Sequence, residues 1–178
     1  MENRDIKLQE KIEKKYQVYQ KNILEKENYY KELKVTPKSY PEIEGKCGTF
    51  FHMITKKKEP VPCKLGHCKY SCKEVYKYNP LIDNEEENRM ICQKRLDKID
   101  YLEDFDISKY KAYEKMQTTP KGKKHRIVLI DEKHDYIYVL EHHGTHILLW
   151  TAYDIPKWKL KKELKKYEEY VKTNKVLD

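Results

Sequence analysis

The residues with the clearest chemical potential in this sequence are cysteines in its middle third. Four of the five thiols occur at loop-like spacings, with the last one at the start of a predicted helix: Cys63, Cys68, Cys72 and Cys92. A small module without a hydrophobic core can close around zinc with such ligands. The segment around them has almost no aliphatic residues, so something other than a core must order it. The spacing therefore predicts a structural zinc bound by these thiolates, with Cys47 or His67 as replacement ligands.

One alternative to this zinc site stays open, because cysteine is also a good small core residue and the thiols can simply be buried. A catalytic zinc is not expected, since no carboxylate lies within the cluster to act as a general base.

A second chemical group lies in the C-terminal third, where a single arginine, several imidazoles and two hydroxyls occur close together. The arginine is Arg126, the hydroxyls are Thr151 and Tyr153, and the imidazoles are His125, His142, His143 and His146. Imidazole titrates near neutral pH, and a guanidinium holds phosphate with a bidentate fork. Each residue also has a structural interpretation. The hydroxyls can bond to backbone, the turn histidines can be solvated, and Arg126 can pair with Glu141 across adjacent strands.

Three β-rich runs must position these side chains. HRIVLID, YIYVLE and HILLWTAYDI, with turns at residues 132–135 and 142–145, predict an antiparallel meander. Strand alternation in the last run predicts one face with Ile147, Leu149, Thr151 and Tyr153, and an opposite face with Leu148, Trp150 and Ala152. After Pro156, a lysine-rich segment predicts a basic helix with apolar residues at helical spacing, namely Leu160, Leu164, Tyr167 and Val171.

Two further helices are predicted upstream of the meander. Residues 4–33 contain neither Pro nor Gly, and they form a narrow apolar stripe of Leu8, Ile12, Tyr16, Tyr19 and Ile23. This stripe predicts one long amphipathic helix that packs on the main domain or on a copy of itself. Prolines and glycines then break regular structure through about residue 66. A helix over residues 85–102 follows, with Asp83 or Asn84 as its N-cap.

The expected architecture is an α+β protein in three parts. Residues 1–34 form the long helix, residues 35–82 a loop-rich Cys/His module, and residues 83–178 a helix plus an antiparallel sheet of three or more strands. The basic helix closes this last part.

The composition of the chain indicates which kinds of partner to expect. The chain has 178 residues, a net charge of +8, and only 38% hydrophobic residues. Residues 35–82 and 107–178 hold the excess of lysine and arginine, whereas residues 83–106 are acidic. A basic protein of this size favours an acidic partner, and nucleic acid is the commonest one. No run approaches the length of a membrane helix and the N-terminus lacks a secretory signal, so we expect a soluble cytoplasmic protein without a membrane partner.

The C-terminal half also carries a family resemblance. The succession of RLDKIDYL (95–102), KKHRIVLID (123–131), YIYVLE (136–141), LLWTAYDI (148–155) and KLKKELKKYEEY (159–170) resembles phage and mobile-element proteins of the barnase, EndoU, colicin and RelE-like nuclease superfamily. The match covers about residues 89–172. Its most specific pieces are Arg95 with Ile99, Arg126, and the triplet Thr151-Ala152-Tyr153. The sequence departs from the pattern at the end of the helix, where it has Asp100-Tyr101, and in its polar linker to the strands.

The resemblance implies a hydrolase that cleaves RNA as an endonuclease without a metal ion. Such cleavage uses the 2′-OH as an internal nucleophile and needs a base, an acid and a cation beside the phosphate. The residues expected to supply these groups are Arg95, His125, Arg126, His142, Thr151 and Tyr153. The residues expected to bind RNA are Lys123, Lys124, Lys157, Lys159, Lys161, Lys162, Lys165 and Lys166.

Two other functions stay open on the sequence. The first is a non-catalytic module of phage type that holds RNA, DNA or a host protein through its basic helix and its Cys/His module. If the protein is a nuclease, a cognate inhibitor is a further expected partner. The second is an adaptor that forms a homodimer through its first helix.

Overall fold

Four helices and eight strands are arranged along the chain in a computed structural model, which describes residues 2–40, 42–57 and 89–174. The helices are α1 (Glu2–Tyr19, continued by a π-helical turn at Gln20–Leu24), α2 (Gly48–Ile54), α3 (Gln93–Asp97) and α4 (Lys157–Asn174). The strands are β1 (Asn28–Tyr30), β2 (Leu33–Pro37), β3 (Thr55–Lys57), β4 (Arg89–Ile91), β5 (Lys111–Thr119), β6 (Gly122–Asp131), β7 (Tyr136–His142) and β8 (Ile147–Asp154). Two 3₁₀ segments, Lys98–Asp104 and Ile107–Lys109, connect α3 to β5.

The main sheet has six strands in the order β1-β2-β8-β7-β6-β5. Strands β5 to β8 form an antiparallel meander, which includes the three predicted β-runs. Strand β2 runs parallel to β8, with Val35 opposite Ile147, so the sheet is mixed. Strands β3 and β4 pair separately. The α+β class, the helices near both ends and the antiparallel meander agree with the sequence analysis.

One face of the sheet packs against the N-terminal helices to form the main core. The apolar stripe of α1 is buried there, and the ring of Tyr16 meets the ring of Phe50 from α2 at 4.9 Å. From the sheet side, the core receives Ile127, Leu129, Tyr138, Leu140, Ile147 and Leu149. The stripe of the first helix is therefore used within the chain. Within the described ranges, no helix combines the length and the apolar composition that crossing a bilayer requires.

The other face of the sheet is covered in part by α4. Leu160, Leu164 and Tyr167 of this helix pack on a smaller core of five buried residues, namely Tyr113, Val128, Ile130, Ile137 and Ile155. These contacts explain the apolar spacing of the basic terminal helix. Beyond them, the face remains open.

The predicted long helix over residues 4–33 is wrong in its last third. Helical structure ends at Leu24, and the chain then forms the hairpin of β1 and β2. Tyr29, Tyr30 and Val35 favour strands, and Lys31 adopts a positive φ of 53° at the turn between them. Pairing of β2 with β8 adds hydrogen bonds that a local reading of the sequence does not include.

The predicted helix over residues 85–102 starts too early. Arg89–Ile91 is a strand paired with β3, and α3 begins only after Cys92, which is extended and occupies the N-cap position. Residues 85–88 and the proposed caps Asp83 and Asn84 lie outside the described residues. The expected irregular region also contains α2, because its residues are nearly all buried against the core.

Candidate functional site on the open face of the sheet

An open cavity of about 310 Å³ occupies the part of the sheet that α4 leaves uncovered. Its polar and aromatic lining comes from three strands and α4, and consists of Lys115, Gln117, Arg126, Trp150, Thr151, Tyr153, Lys159 and Glu163. Val128, Ile137 and Val139 form its floor. The predicted residues Arg126, Thr151, Tyr153 and Lys159 therefore meet in one concave site.

A β-bulge in β8 brings the two hydroxyls to this face. Val139 pairs with Thr151, but the next residue, Leu140, pairs with Leu149, so that β8 contains one extra residue at this point. Ile147 and Leu149 consequently enter the main core, while Thr151 and Tyr153 line the cavity. The prediction that all four share one face is wrong, because simple alternation does not include the bulge.

Arg126 is the most deeply placed cation of the cavity, with 7% of its surface exposed. Its Nη1 lies 2.5 Å from Oε2 of Glu141, its partner on β7, and its guanidinium lies 4.8 Å from the centre of the Trp150 ring. The Arg126–Glu141 contact is an ion pair by distance, but its geometry does not satisfy a hydrogen bond. Nε of Arg126 also has no hydrogen-bond partner among the described residues. Burial lowers the pKa of this guanidinium, and Glu141 opposes the shift.

Lys115 places a second cation directly opposite Arg126 on the neighbouring strand. The Lys115 side chain is exposed, yet partial desolvation by the surrounding atoms lowers its pKa. The Glu163 carboxylate opposes this effect, and the nearby cations Lys166, Lys159 and Arg126 lower the pKa further. Lys159 of α4 lies 5.5 Å from the centre of the Tyr153 ring. Because like charges on directly opposed residues repel, this arrangement favours an anion between them.

Glu163 connects α4 to the sheet beside the cavity. Only 6% of its surface is exposed, its Oε1 accepts a hydrogen bond from Lys166 at 2.8 Å, and its Oε2 accepts one from the Tyr113 hydroxyl. Burial alone would raise the pKa of this carboxyl, but the hydrogen bonds from Lys166 and Tyr113 outweigh it and hold the pKa below its usual value. A permanent negative charge therefore remains next to the lysines.

The predicted histidines His125 and His142 lie on the opposite face of the sheet. His125 precedes Arg126 on β6 and His142 follows Glu141 on β7, so alternation directs both away from the cavity. Their rings stack at 5.1 Å, and Nε2 of His125 lies 2.8 Å from Oε2 of Glu114. The proposed catalytic set requires both histidines beside Arg126, and neither lies there.

Arg95 reaches the site indirectly. It extends from α3 so that Nη1 donates to the backbone oxygen of Thr55 at 2.5 Å, and its guanidinium lies 5.6 Å from the centre of the Tyr153 ring. Arg95 thus contacts a residue of the cavity lining without belonging to the lining itself.

The remaining predicted RNA-binding lysines lie outside the lining of the cavity. Lys124 lies 3.1 Å from Glu141, Lys166 binds Glu163, and Lys162 lies over the exposed ring of Trp158. The others have exposed side chains on β6 or α4, namely Lys123, Lys157, Lys161 and Lys165.

Sequence reasoning missed several residues of the lining, chiefly Lys115, Gln117, Trp150 and Glu163. Strand β5, KAYEKMQTT, was not recognised, because most of its residues are charged or polar and only Tyr113 is buried. Glu163 was hidden among the charges of the basic helix, and only its register with Leu160 and Leu164 indicates an inward position.

The structure does not describe most of the predicted zinc ligands. Cys63, Cys68 and Cys72, with His67, lie outside the described residues. Cys92 is 3% exposed, and the Cys47 thiol donates to the Tyr19 hydroxyl at 3.2 Å. Among the residues that the structure does describe, no three His, Cys, Asp or Glu side chains group together as metal ligands.

Comparison with known proteins gives no relative: no protein-family profile, no curated protein and no solved structure matches this chain.

Proposed function

We propose that the protein binds RNA in the cavity of the sheet and cleaves it there without a metal ion. The observation that carries this proposal is the arrangement of Arg126, Lys115 and Lys159 around one open cavity. Arg126 is buried, yet it retains an Nε donor without a partner in the described part of the chain. A phosphodiester supplies the missing acceptor and neutralises the repulsion between the cations.

The lining matches the chemical demands of this reaction. Arg126 and Lys159 hold the non-bridging phosphate oxygens and stabilise the negative charge of the phosphorane. The Tyr153 hydroxyl donates a hydrogen bond to the same group. The Thr151 hydroxyl turns to it from the backbone oxygen of His52, to which it donates at 3.4 Å. Lys115, whose pKa is lowered, is the proton donor to the leaving 5′-oxygen.

Labelled RNA incubated with the protein in EDTA tests this function. We expect products with 2′,3′-cyclic phosphate and 5′-hydroxyl ends. Arg126→Ala should slow cleavage by at least about 100-fold, because it removes a charge-assisted contact to the transition state. Lys133→Ala is the control, since Lys133 lies at the β6–β7 turn and pairs with Asp104. Intact RNA across a broad panel of substrates would contradict cleavage.

RNA binding without cleavage is the second candidate function. It is favoured by the position of His125 and His142, which are separated from Arg126 by the sheet itself. Under this alternative, the wild type leaves RNA intact, but Arg126→Ala still weakens its binding. Binding measured by fluorescence anisotropy alongside the cleavage assay separates the two candidates.

The structural zinc stays a prediction of the sequence and is a separate proposal. Native mass spectrometry of the protein before and after acid denaturation gives the number of bound zinc ions. Ser substitutions at Cys63, Cys68, Cys72 and Cys92 should each release the ion, whereas a native mass equal to that of the chain alone would remove the proposal.

A further inference from the structure

One histidine, His143, contacts the carboxylate that pairs with Arg126. Nε2 of His143 lies 3.1 Å from Oε1 of Glu141, whose other oxygen faces Arg126 at 2.5 Å. Glu141 is only 3% exposed. One buried carboxylate thus contacts both the imidazole and the guanidinium, with Lys124 also 3.1 Å from Oε1.

The sheet and the turn after β7 account for this position. Lys124 precedes Arg126 by two residues on β6, so alternation keeps both on the face of Glu141. His143 lies just beyond the end of β7 and reaches Glu141 from the β7–β8 turn. Gln117, which lines the cavity, lies opposite Lys124 on β5. Gln117, Lys124 and His143 therefore lie next to the opposed pair of Lys115 and Arg126.

Contact with the carboxylate determines how the imidazole can act. The Nε2–Oε1 contact of 3.1 Å lies within ion-pair distance but does not have hydrogen-bond geometry. A small turn of the ring lets Nε2 donate to this carboxylate, and the neutral ring then keeps its lone pair on Nδ1. Nδ1 of His143 has no hydrogen-bond partner among the described residues, and 34% of the side chain is exposed. The ring also stacks on His146 at 5.4 Å, which further fixes its plane.

We propose that His143 is the general base of the RNA cleavage described above, with Glu141 as its positioning residue. This inference rests on the proposed function. Nδ1 takes the proton from the 2′-OH while the 2′-oxygen forms its bond to phosphorus. The bond from phosphorus to the 5′-oxygen breaks, and Lys115 protonates that oxygen. The products are a 2′,3′-cyclic phosphate and a 5′-hydroxyl, and transfer through water returns the proton from His143 to Lys115.

The other described histidines are less suitable for this role. His125 and His142 face the opposite side of the sheet. His134 is held by the buried Asp131 at 2.6 Å, at the β6–β7 turn. His52 packs near the Trp150 ring at 5.6 Å, on the α2 side of β8.

The test compares His143→Ala with His134→Ala, an imidazole at the β6–β7 turn that is hydrogen-bonded to Asp131. We expect His143→Ala to lose cleavage by about 10²- to 10⁴-fold, as removal of a general base does, and His134→Ala to retain it within about threefold. Added imidazole should restore His143→Ala by at least about tenfold. The acidic limb of the pH–rate profile should also disappear in this variant. The charged and titratable groups that face His143 are Glu141, His146, Lys124 and Arg126.

An uncleavable RNA with 2′-methoxy groups separates catalysis from folding and binding. His143→Ala should bind this RNA with an affinity within about twofold of the wild type. Glu141→Gln should lower kcat far more than it changes KM, and it should shift the pH profile, because the imidazole loses its fixed tautomer. A purely structural contact would instead lower the thermal stability and leave the profile in place.

The outcomes distinguish this inference from the function on which it rests. A wild type that leaves all RNA intact overturns both. A wild type that cleaves, together with a His143→Ala variant that keeps its rate and its pH profile, overturns only the assignment of His143. Loss of activity without rescue by imidazole, accompanied by loss of binding, also overturns it, since the residue would then act in binding.

Discussion

Opposed cations are the feature that defines the cavity at the level of single residues. Lys115 and Arg126 face each other across β5 and β6, although a pair of like charges in this position weakens a sheet. Glu141 and Glu163 compensate this repulsion in part. Residues that cost stability persist at functional sites, where a ligand supplies the missing partner.

Lys115→Gln should therefore separate stability from activity. Removal of one of two opposed charges relieves repulsion, so we expect the thermal midpoint to stay level or to rise by a few degrees. Cleavage should fall by about 100-fold or more, because the 5′-oxygen loses its proton donor. Differential scanning calorimetry and the RNA assay measure the two effects. Lys133→Gln is the control, and a clear loss of stability in Lys115→Gln without loss of cleavage would argue against this view of the site.

Helix α4 is the element that gives the cavity its wall. Its apolar side chains pack over the lower part of the sheet, and Glu163 adds a polar anchor through Tyr113 and Lys166. The same helix contributes Lys159 to the lining. The position of this lysine thus depends on the packing of the whole helix.

Glu163→Gln should weaken this attachment in a pH-dependent way. The pKa of Glu163 is lowered in the folded state, so its contribution to stability is complete above the ordinary carboxyl pKa of about 4.3 and disappears as the pH falls through the lowered value. Loss of the charged hydrogen bonds costs about 1–3 kcal/mol. Thermal unfolding of both proteins at several pH values should show a difference near pH 7 that vanishes in acid. An equal difference in thermal stability at all pH values would contradict the lowered pKa of Glu163.

Elements with a clear hydrophobic periodicity could be predicted from the sequence, whereas elements that depend on pairing with distant strands could not. The three apolar runs of β6, β7 and β8 show their strand character in the sequence, and this places Arg126, Thr151 and Tyr153 on neighbouring strands. The bulge at Trp150 has no local signal, so the face of the two hydroxyls was misassigned even though their proximity to Arg126 was expected. The β1–β2 hairpin depends on β8, which lies more than 100 positions later in the chain.

The histidines illustrate the same limit at the site. His125, His142 and His143 are equivalent by composition, and only the strand register and the end of β7 decide which of them contacts the partner of Arg126. A sheet period of two makes adjacent residues point to opposite faces, so an error of one residue exchanges the candidates.

At the scale of the whole molecule, the excess of positive charge lies beside the cavity and favours an anionic ligand. The chain carries a net charge of +8, and the cavity concentrates Lys115, Arg126 and Lys159 beside the lysine-rich α4. Release of counterions from RNA makes binding by such a surface depend on salt.

The salt dependence of binding should report the number of these contacts. Each neutralised phosphate on a single strand contributes about −0.7 to the slope of log K against log salt, so three cations predict a slope of at least about −2. Lys159→Ala should make the slope shallower by about 0.7, whereas Lys133→Ala should not change it. Fluorescence anisotropy titrations from low to high salt give these slopes. An identical slope for Lys159→Ala would remove this lysine from the interface.

The parallel pairing of β2 with β8 has a consequence for biosynthesis. Val35 leaves the ribosome more than 100 residues before its partner Ile147 is added. The edge hairpin must therefore wait without its neighbour while the intervening residues are synthesised, and contacts so distant along the chain form slowly. Native assembly is completed only after β8 has emerged, so a nascent chain that stalls before Thr151 cannot acquire a working site.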